Sequence, residues 1–227
     1  GNIVFVGGCS LNVSANRFLS DYFSRIHIPS NPGDSGSAVG CILARTRKHI
    51  SPTPYLGYDI QGSYPIEEII GELIERGVAG VANGRCEFGP RALGNRTLFG
   101  DPRDIRIKDK INQVKGREPF RPFAPMILEE DVSKYFNGGF FSPYMSCALQ
   151  ATQEFRNMYP GVVHLDGTSR LQVVTEEPHK TLLQIWKEVS KCPVLLNTSL
   201  NVKGEPIVNT KEDAAAFTAK TGVNVYS

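Results

Sequence analysis

The chain has 227 residues, 41% of them hydrophobic and 21% charged, with a formal net charge of +2 at pH 7. A chain of this length can bury roughly three quarters of its unfolded surface, so a disordered, fibrous or disulfide-stapled molecule is excluded. No apolar run approaches the ~20 residues of a membrane span, and residues 1–20 lack a basic-then-apolar leader, so a cytoplasmic protein without membrane contact is expected. The five cysteines (Cys9, Cys41, Cys86, Cys147, Cys192) are odd in number and widely spaced, which fits free thiols in a reducing compartment. The four histidines form no metal-ligand spacing.

In chain order, residues 3–6 (Ile-Val-Phe-Val) predict a strand that ends at Gly7-Gly8, with a helix expected over residues 11–23. Val39, Ile42 and Leu43 predict a second helix after the turn-rich residues 29–36. Residues 47–64 carry Pro52, Pro54, Gly57 and Gly62 and read as a linker and candidate domain boundary. Ile66, Ile69, Ile70, Leu73 and Ile74 repeat at helical spacing between Pro65 and Gly77. A buried strand is expected at Val78–Ala82, and a helix capped by Asp104 with Ile107, Ile111 and Val114 on its inner face. Leu182, Ile185, Trp186 and Val189 predict another helix, with Trp186 a core residue, followed by a strand at residues 194–196. Thr210 and Asp213 have capping-box spacing before a last helix. Alternating helices and short apolar strands argue an α/β fold.

The charge is not evenly spread. Residues 84–121 hold ten of the 25 Lys and Arg against five acids, a local +5 in a chain whose remaining 189 residues sum to −3. A solvated basic face is the ordinary explanation for such a run. Here, however, Pro90, Pro119, Pro122, Phe120 and Phe123 fix the backbone between the charges, as a preorganised phosphate or carboxylate cradle requires. At the other end, Gly7-Gly8 after a strand and before Asn12 is a geometry that offers free N–H groups to phosphate, although most such pairs are only turns. Asp34, in Gly33-Asp34-Ser35-Gly36, reads as a turn former or helix cap. Cys86 lies within the basic segment but has no nearby His, and a catalytic thiol is not expected.

Residues 84–101 and 115–125, with Asp166-Gly167-Thr168-Ser169-Arg170 and Asn197-Thr198-Ser199-Leu200-Asn201, resemble in order the signature segments of the O-carbamoyltransferases of nodulation and antibiotic tailoring. The resemblance implies an α/β, YrdC-like twisted sheet with helices over residues 60–227, which makes carbamoyl-adenylate from carbamoyl phosphate and ATP. It implies that residues 1–55 are the C-terminal part of an actin-like ATPase (ASKHA) domain, incomplete alone. Carried over, it points to Lys115, Arg91, Arg121, Arg170 and Ser199 as catalytic, and to Gly7, Gly8, Asn12, Arg96, Asn95 and Asn197 as nucleotide or phosphate contacts. Asp34 would be a ligand for iron or another divalent metal only with histidines from an N-terminal part. Mg²⁺ would accompany the ATP. Expected partners are carbamoyl phosphate, ATP, a hydroxyl-bearing acceptor and a second chain, either the N-terminal portion or another copy in a homodimer. Thr-Ser-Leu-Asn stands at residues 198–201 where the resemblance leads one to expect Thr-Ser-Phe-Asn, which keeps the hydroxyl.

Two alternatives stay open at this level. A threonylcarbamoyl-adenylate synthase of tRNA modification would share the adenylate chemistry, but would have no use for the Gly7-Gly8 and Asp34 segment. A nucleotide-binding subunit without activity would share the contacts alone.

Overall fold

The computed structural model describes residues 1–50 and 53–227; Pro52, on which the linker reading partly rests, lies outside them. Two parallel strands open the chain, β1 (Asn2–Val4) and β2 (Arg25–His27), with Ile3 beside Ile26. The single helix expected over residues 11–23 does not form. In its place stand a 3₁₀ turn at Gly8–Leu11, one turn of α-helix at α1 (Val13–Asn16) and a second 3₁₀ turn at Arg17–Asp21. Short polar side chains capture the backbone there: Ser10 Oγ donates to the Gly7 carbonyl, Asn12 Oδ1 accepts from Ala15 N–H, and Ser20 Oγ donates to the Arg17 carbonyl. The buried Asn16 donates to the carbonyls of Ser10 and Ser146, tying this segment to the body 130 residues away.

Helix α2 (Asp34–Thr46) follows Gly33 and buries none of its residues; Ile42 stands 62% exposed. The expected linker contains a strand. Its aromatic and branched residues form β3 (Tyr55–Ile60), paired antiparallel with β5 (Gly84–Glu87) and placing Asp59 opposite Arg85. Gly57 allows the approach, since a Cβ there would meet the Cys86 side chain and carbonyl at 2.9 and 3.0 Å.

Between these strands, α3 (Ile66–Arg76) buries Ile69, Ile70 and Leu73 but leaves Ile74 exposed, and Gly77 at φ 75° ends it. Strand β4 (Val78–Ala82) is buried throughout, as is β6 (Arg96–Gly100). Asp104 is not the cap of α4 (Ile107–Val114); its carboxylate accepts from Arg106 N–H one turn ahead, and Arg106 takes the cap position. The chain continues through β7 (Ala124–Leu128), α5 (Glu129–Tyr135), β8 (Phe136–Asn137), β9 (Ala148–Ala151) and α6 (Gln153–Met158). Then come β10 (Thr168–Arg170), β11 (Gln172–Val174), α7 (His179–Ser190), β12 (Val194–Ser199), α8 (Lys211–Thr221) and β13 (Val225–Tyr226). Thr210 and Asp213 complete the expected capping box.

A six-stranded mixed sheet in the order β11-β7-β12-β6-β4-β13 organises the body, with each neighbouring pair along β7-β12-β6-β4 antiparallel. The expected α/β class is what forms. Buried central strands need cover on both faces, and the core joins Leu98, Phe99, Met126, Ile127 and Leu195 of the sheet to Ile69 and Leu73 of α3 and Trp186 of α7. Trp186 also satisfies its ring N–H on the Val194 carbonyl at 3.0 Å. A smaller antiparallel sheet, β10-β9-β8, sits beside it and delivers Arg170 at its end.

Candidate functional site

The loop from Phe88 to Asn95 leaves β5 and re-enters the large sheet at β6, and it carries Arg91. Side chains from five other elements and loops hold its second half. Asn197 donates to the Ala92 carbonyl (3.2 Å), Gln172 and Tyr55 to that of Leu93 (2.8 and 3.1 Å), and Tyr64 to that of Gly94 (2.6 Å). Gly94, at φ 122°, lies against the ring of His179, which α7 presents. His179 is buried, which pushes its pKa down to about 4, and its Nε2 lies 3.0 Å from Asn95 Oδ1.

Lys115 ends α4 and turns inward. Its ammonium donates to the Ser199 carbonyl, to the Asn201 carbonyl (2.9 Å) and to Asn201 Oδ1 (3.0 Å), with Ser199 Oγ at 3.3 Å. Burial and then the positive charges of Arg117 and Arg121 push its pKa down to about 7. Arg117 is itself held down, to about 10, by burial and by Arg121, and its guanidinium lies 4.3 Å from the centre of the Phe123 ring. Arg170, at the end of β10, is pushed down to about 9 by burial, then by Arg91 and Arg117. These influences link Lys115 to Arg117 and Arg121, and Arg170 to Arg91 and Arg117, with Ser199 beside Lys115; Lys115 and Arg91 line separate cavities. The sequence reading missed Arg117, although it lies in the same basic segment.

Little in the chain neutralises this group. Among the described residues, neither Arg91 nor Arg170 makes a side-chain hydrogen bond or ion pair, and Arg170 Nε is buried without a partner. Glu118 lies 4.0 Å from Arg121, but it is exposed and already bonded to Lys203 at 2.5 Å. Half-buried guanidiniums with unfilled donors, here those of Arg91 and Arg170, are the kind of group an anion satisfies.

Other residues singled out in the sequence lie elsewhere. Arg96 is fully buried and donates through both terminal nitrogens to the carbonyls of Asn83, Gly84, Asn95, Tyr58 and Asn209, so it braces the fold; its Nε is buried without a partner but is enclosed by these bonds. Asn95 bonds Arg85 and His179, while Asn197 bonds Ala92, Gln172 and Thr97; both are structural by the same test. Asn12 caps α1. Gly7 and Asp34 do share a cavity of about 580 Å³ with Val6, His27, Leu43 and Phe88, and Gly8 is not among its lining residues. No group of three or more His, Cys, Asp or Glu among the described residues could hold a metal, so Asp34 does not fit a metal site with the residues present. Cys86 is buried, and burial raises its thiol pKa, which opposes thiolate chemistry.

Glu87 was passed over in the sequence. It is the last residue of β5, and its Oε1 accepts from the N–H groups of Leu93 (2.6 Å), Asn95 (2.9 Å) and Arg96 (3.4 Å).

The family model of the carbamoyltransferase C-terminus matches residues 71–227, and that span includes every cation of the cluster. The chain belongs to the carbamoyltransferase C-terminal family. It is 34% identical to the nodulation protein NolO of Bradyrhizobium diazoefficiens, over 93% of this chain and 45% of that protein. It is 33% identical to the uncharacterized protein sll1178 of Synechocystis, over 94% of this chain and 44% of that one. The chain thus spans less than half the length of these relatives. Among solved structures, full-length HypF in its phosphate- and nucleotide-bound form is similar in fold over 74% of this chain and 25% of that one, at 20% identity and a TM-score of 0.52.

Proposed function

We propose that this chain is the C-terminal portion of an ATP-dependent O-carbamoyltransferase. Residues 60–227 act as a YrdC-like domain that forms carbamoyl-adenylate, and residues 1–55 are the end of an ASKHA-type domain that delivers carbamoyl to an acceptor hydroxyl. The observation that carries the reading is the pair of half-buried guanidiniums, Arg91 and Arg170, that repel each other and have no partner among the described residues. Membership of the carbamoyltransferase C-terminal family supports it. So does the likeness in fold to HypF, whose own structure holds phosphate and nucleotide.

The chemistry asks for such a cluster. Carbamoyl phosphate loses its phosphate to water, the resulting carbamate oxygen attacks the α-phosphorus of ATP, and the bond to pyrophosphate breaks. The developing charge sits on phosphoryl oxygens, where fixed cations lower the barrier without reorganising. Arg91, Arg117 and Arg170 present planar forks to those oxygens, and Lys115, exchanging its contacts with Ser199 and Asn201 for the substrate, adds a compact charge. Mg²⁺ would enter on the nucleotide, because the site itself is built of cations. The apolar residues left bare on α2 support completion of the first unit by chain beyond these residues, and the relatives' greater length agrees.

The test incubates the chain with ATP and carbamoyl phosphate and follows pyrophosphate. Arg170→Ala is expected to lower release by about two orders of magnitude or more with the circular dichroism spectrum unchanged, and Lys115→Ala to abolish it. Release that requires bicarbonate and threonine instead would assign the threonylcarbamoyl-adenylate reaction. Nucleotide binding with no pyrophosphate, even after the N-terminal portion is restored, would leave a binding subunit.

A further inference from the structure

We propose that Glu87 is a positioning residue for Arg91, setting where that guanidinium reaches by clamping the backbone of the loop that carries it. The proposal rests on the reading of Arg91 as an anion contact. Because the Arg91 side chain makes no hydrogen bond among the described residues, its reach is decided by the backbone beneath it. That backbone is pinned at two places. On one side Gly89 lies so close to the Ser30 carbonyl oxygen that a Cβ would meet it at 2.8 Å. On the other, the Glu87 carboxylate gathers the N–H groups of Leu93, Asn95 and Arg96 onto a single oxygen.

Three converging N–H groups make a nest, and one carboxyl oxygen of Glu87 fills it. Every other side-chain anchor of residues 92–96 binds one carbonyl or one N–H; Glu87 alone takes several N–H groups and alone is an acid. Its second oxygen, Oε2, is buried and has no partner among the described residues. A carboxylate kept in that position while half of it goes unbonded is held there for its three acceptor contacts. Its charge is not matched to a cation side chain, since no ion pair to Glu87 exists among the described residues. Acceptor geometry, more than charge, is therefore what the loop needs from this side chain.

That distinction decides the experiment. Affinity for inorganic pyrophosphate is measured by calorimetry on the chain and on Glu87→Asp, Glu87→Gln, Arg91→Ala and the Glu87→Asp/Arg91→Ala double variant, with melting curves for each. Aspartate keeps the charge but withdraws the carboxylate by about 1.5 Å, the length of one C–C bond. Glutamine loses the charge but keeps an acceptor oxygen in place. The expected result is a loss of about tenfold for Glu87→Asp, recovery to within about threefold of the unsubstituted chain for Glu87→Gln, and no loss beyond that of Arg91→Ala in the double variant. Glu87→Asp binding as tightly as the unsubstituted chain, or losses that multiply in the double variant, would overturn the assignment. Should Glu87→Asp fail to fold, the smaller loss in Glu87→Gln must vanish when Arg91 is already alanine.

Pyrophosphate release from ATP and carbamoyl phosphate is followed in parallel. Coupled binding losses without release would sink the carbamoyl-adenylate reading and leave Glu87 its role. Release with independent losses would do the reverse. No pyrophosphate binding at all would remove both.

Discussion

At the scale of single residues, two arginines five positions apart do opposite work. Arg91 keeps its donors free, whereas Arg96 places its own on five carbonyls. Arg96→Met is expected to leave those acceptors unpaired and to cost roughly 3–5 kcal/mol in urea unfolding, with no specific effect on anion affinity once folded. Lys115 offers a measurement of a different kind. Its folded-state pKa of about 7 lies below the ordinary 10.5. Between those values the unfolded chain holds a proton that the folded one lacks, so this group makes stability climb as pH rises from about 7 to about 10.5. A bound anion raises the pKa again. Pyrophosphate binding at pH 8 is therefore expected to take up protons, seen as calorimetric heats that change with the buffer's ionisation enthalpy; equal heats in all buffers would contradict the placement of Lys115 beside the anion. The basic segment was legible from composition, but the division of labour within it was not. The carbonyls that claim Arg96 include those of Tyr58 and Asn209, 38 and 113 residues away, and no local pattern announces them. Glu87 was hidden in the same manner, as one acid in a stretch read for its bases.

At the scale of elements, the helices that announced themselves carry a terminal signal, α3 its apolar stripe ending at Gly77 and α8 the capping box at its start. Prediction failed where side chains compete with the backbone, in the segment of Ser10, Asn12 and Ser20, and where prolines and glycines disguised a strand, in β3. That strand matters to the site because Tyr55 at its start holds the Leu93 carbonyl. The first residue of α7 does as much from the other side. His179 stays neutral down to about pH 4, below its ordinary 6.5. The unfolded chain protonates first on acidification, so stability is expected to fall as pH drops from about 6.5 towards 4, by on the order of 3 kcal/mol from this group. His179→Gln should flatten that slope in pH-dependent melting. Gly94→Ala would drive a methyl into the same ring at a positive φ, and a melting temperature lowered by several degrees is the expected outcome.

At the scale of the whole molecule, burial is uneven along the chain. The six-stranded sheet encloses a continuous core, while the two-stranded β1–β2 ribbon and α2 bury little and leave Val4, Val6, Phe18, Tyr22 and Ile42 in water. On the proposed reading, the chain alone should light up an apolar fluorescent dye, and the signal should fall when the N-terminal portion is supplied; equal fluorescence with and without it would count against an unfinished first unit. The matched family segment, residues 71–227, begins within α3, after this ribbon. The touching of Gly89 and the Ser30 carbonyl has one last consequence. The arginine loop and the chain leading into α2 are back to back with no slack between them, like two rooms divided by a single plank. Anything that shoulders residues 30–31 aside must borrow its space from the loop that aims Arg91, and a bulkier residue at position 89 would make the neighbours quarrel before any ligand arrived.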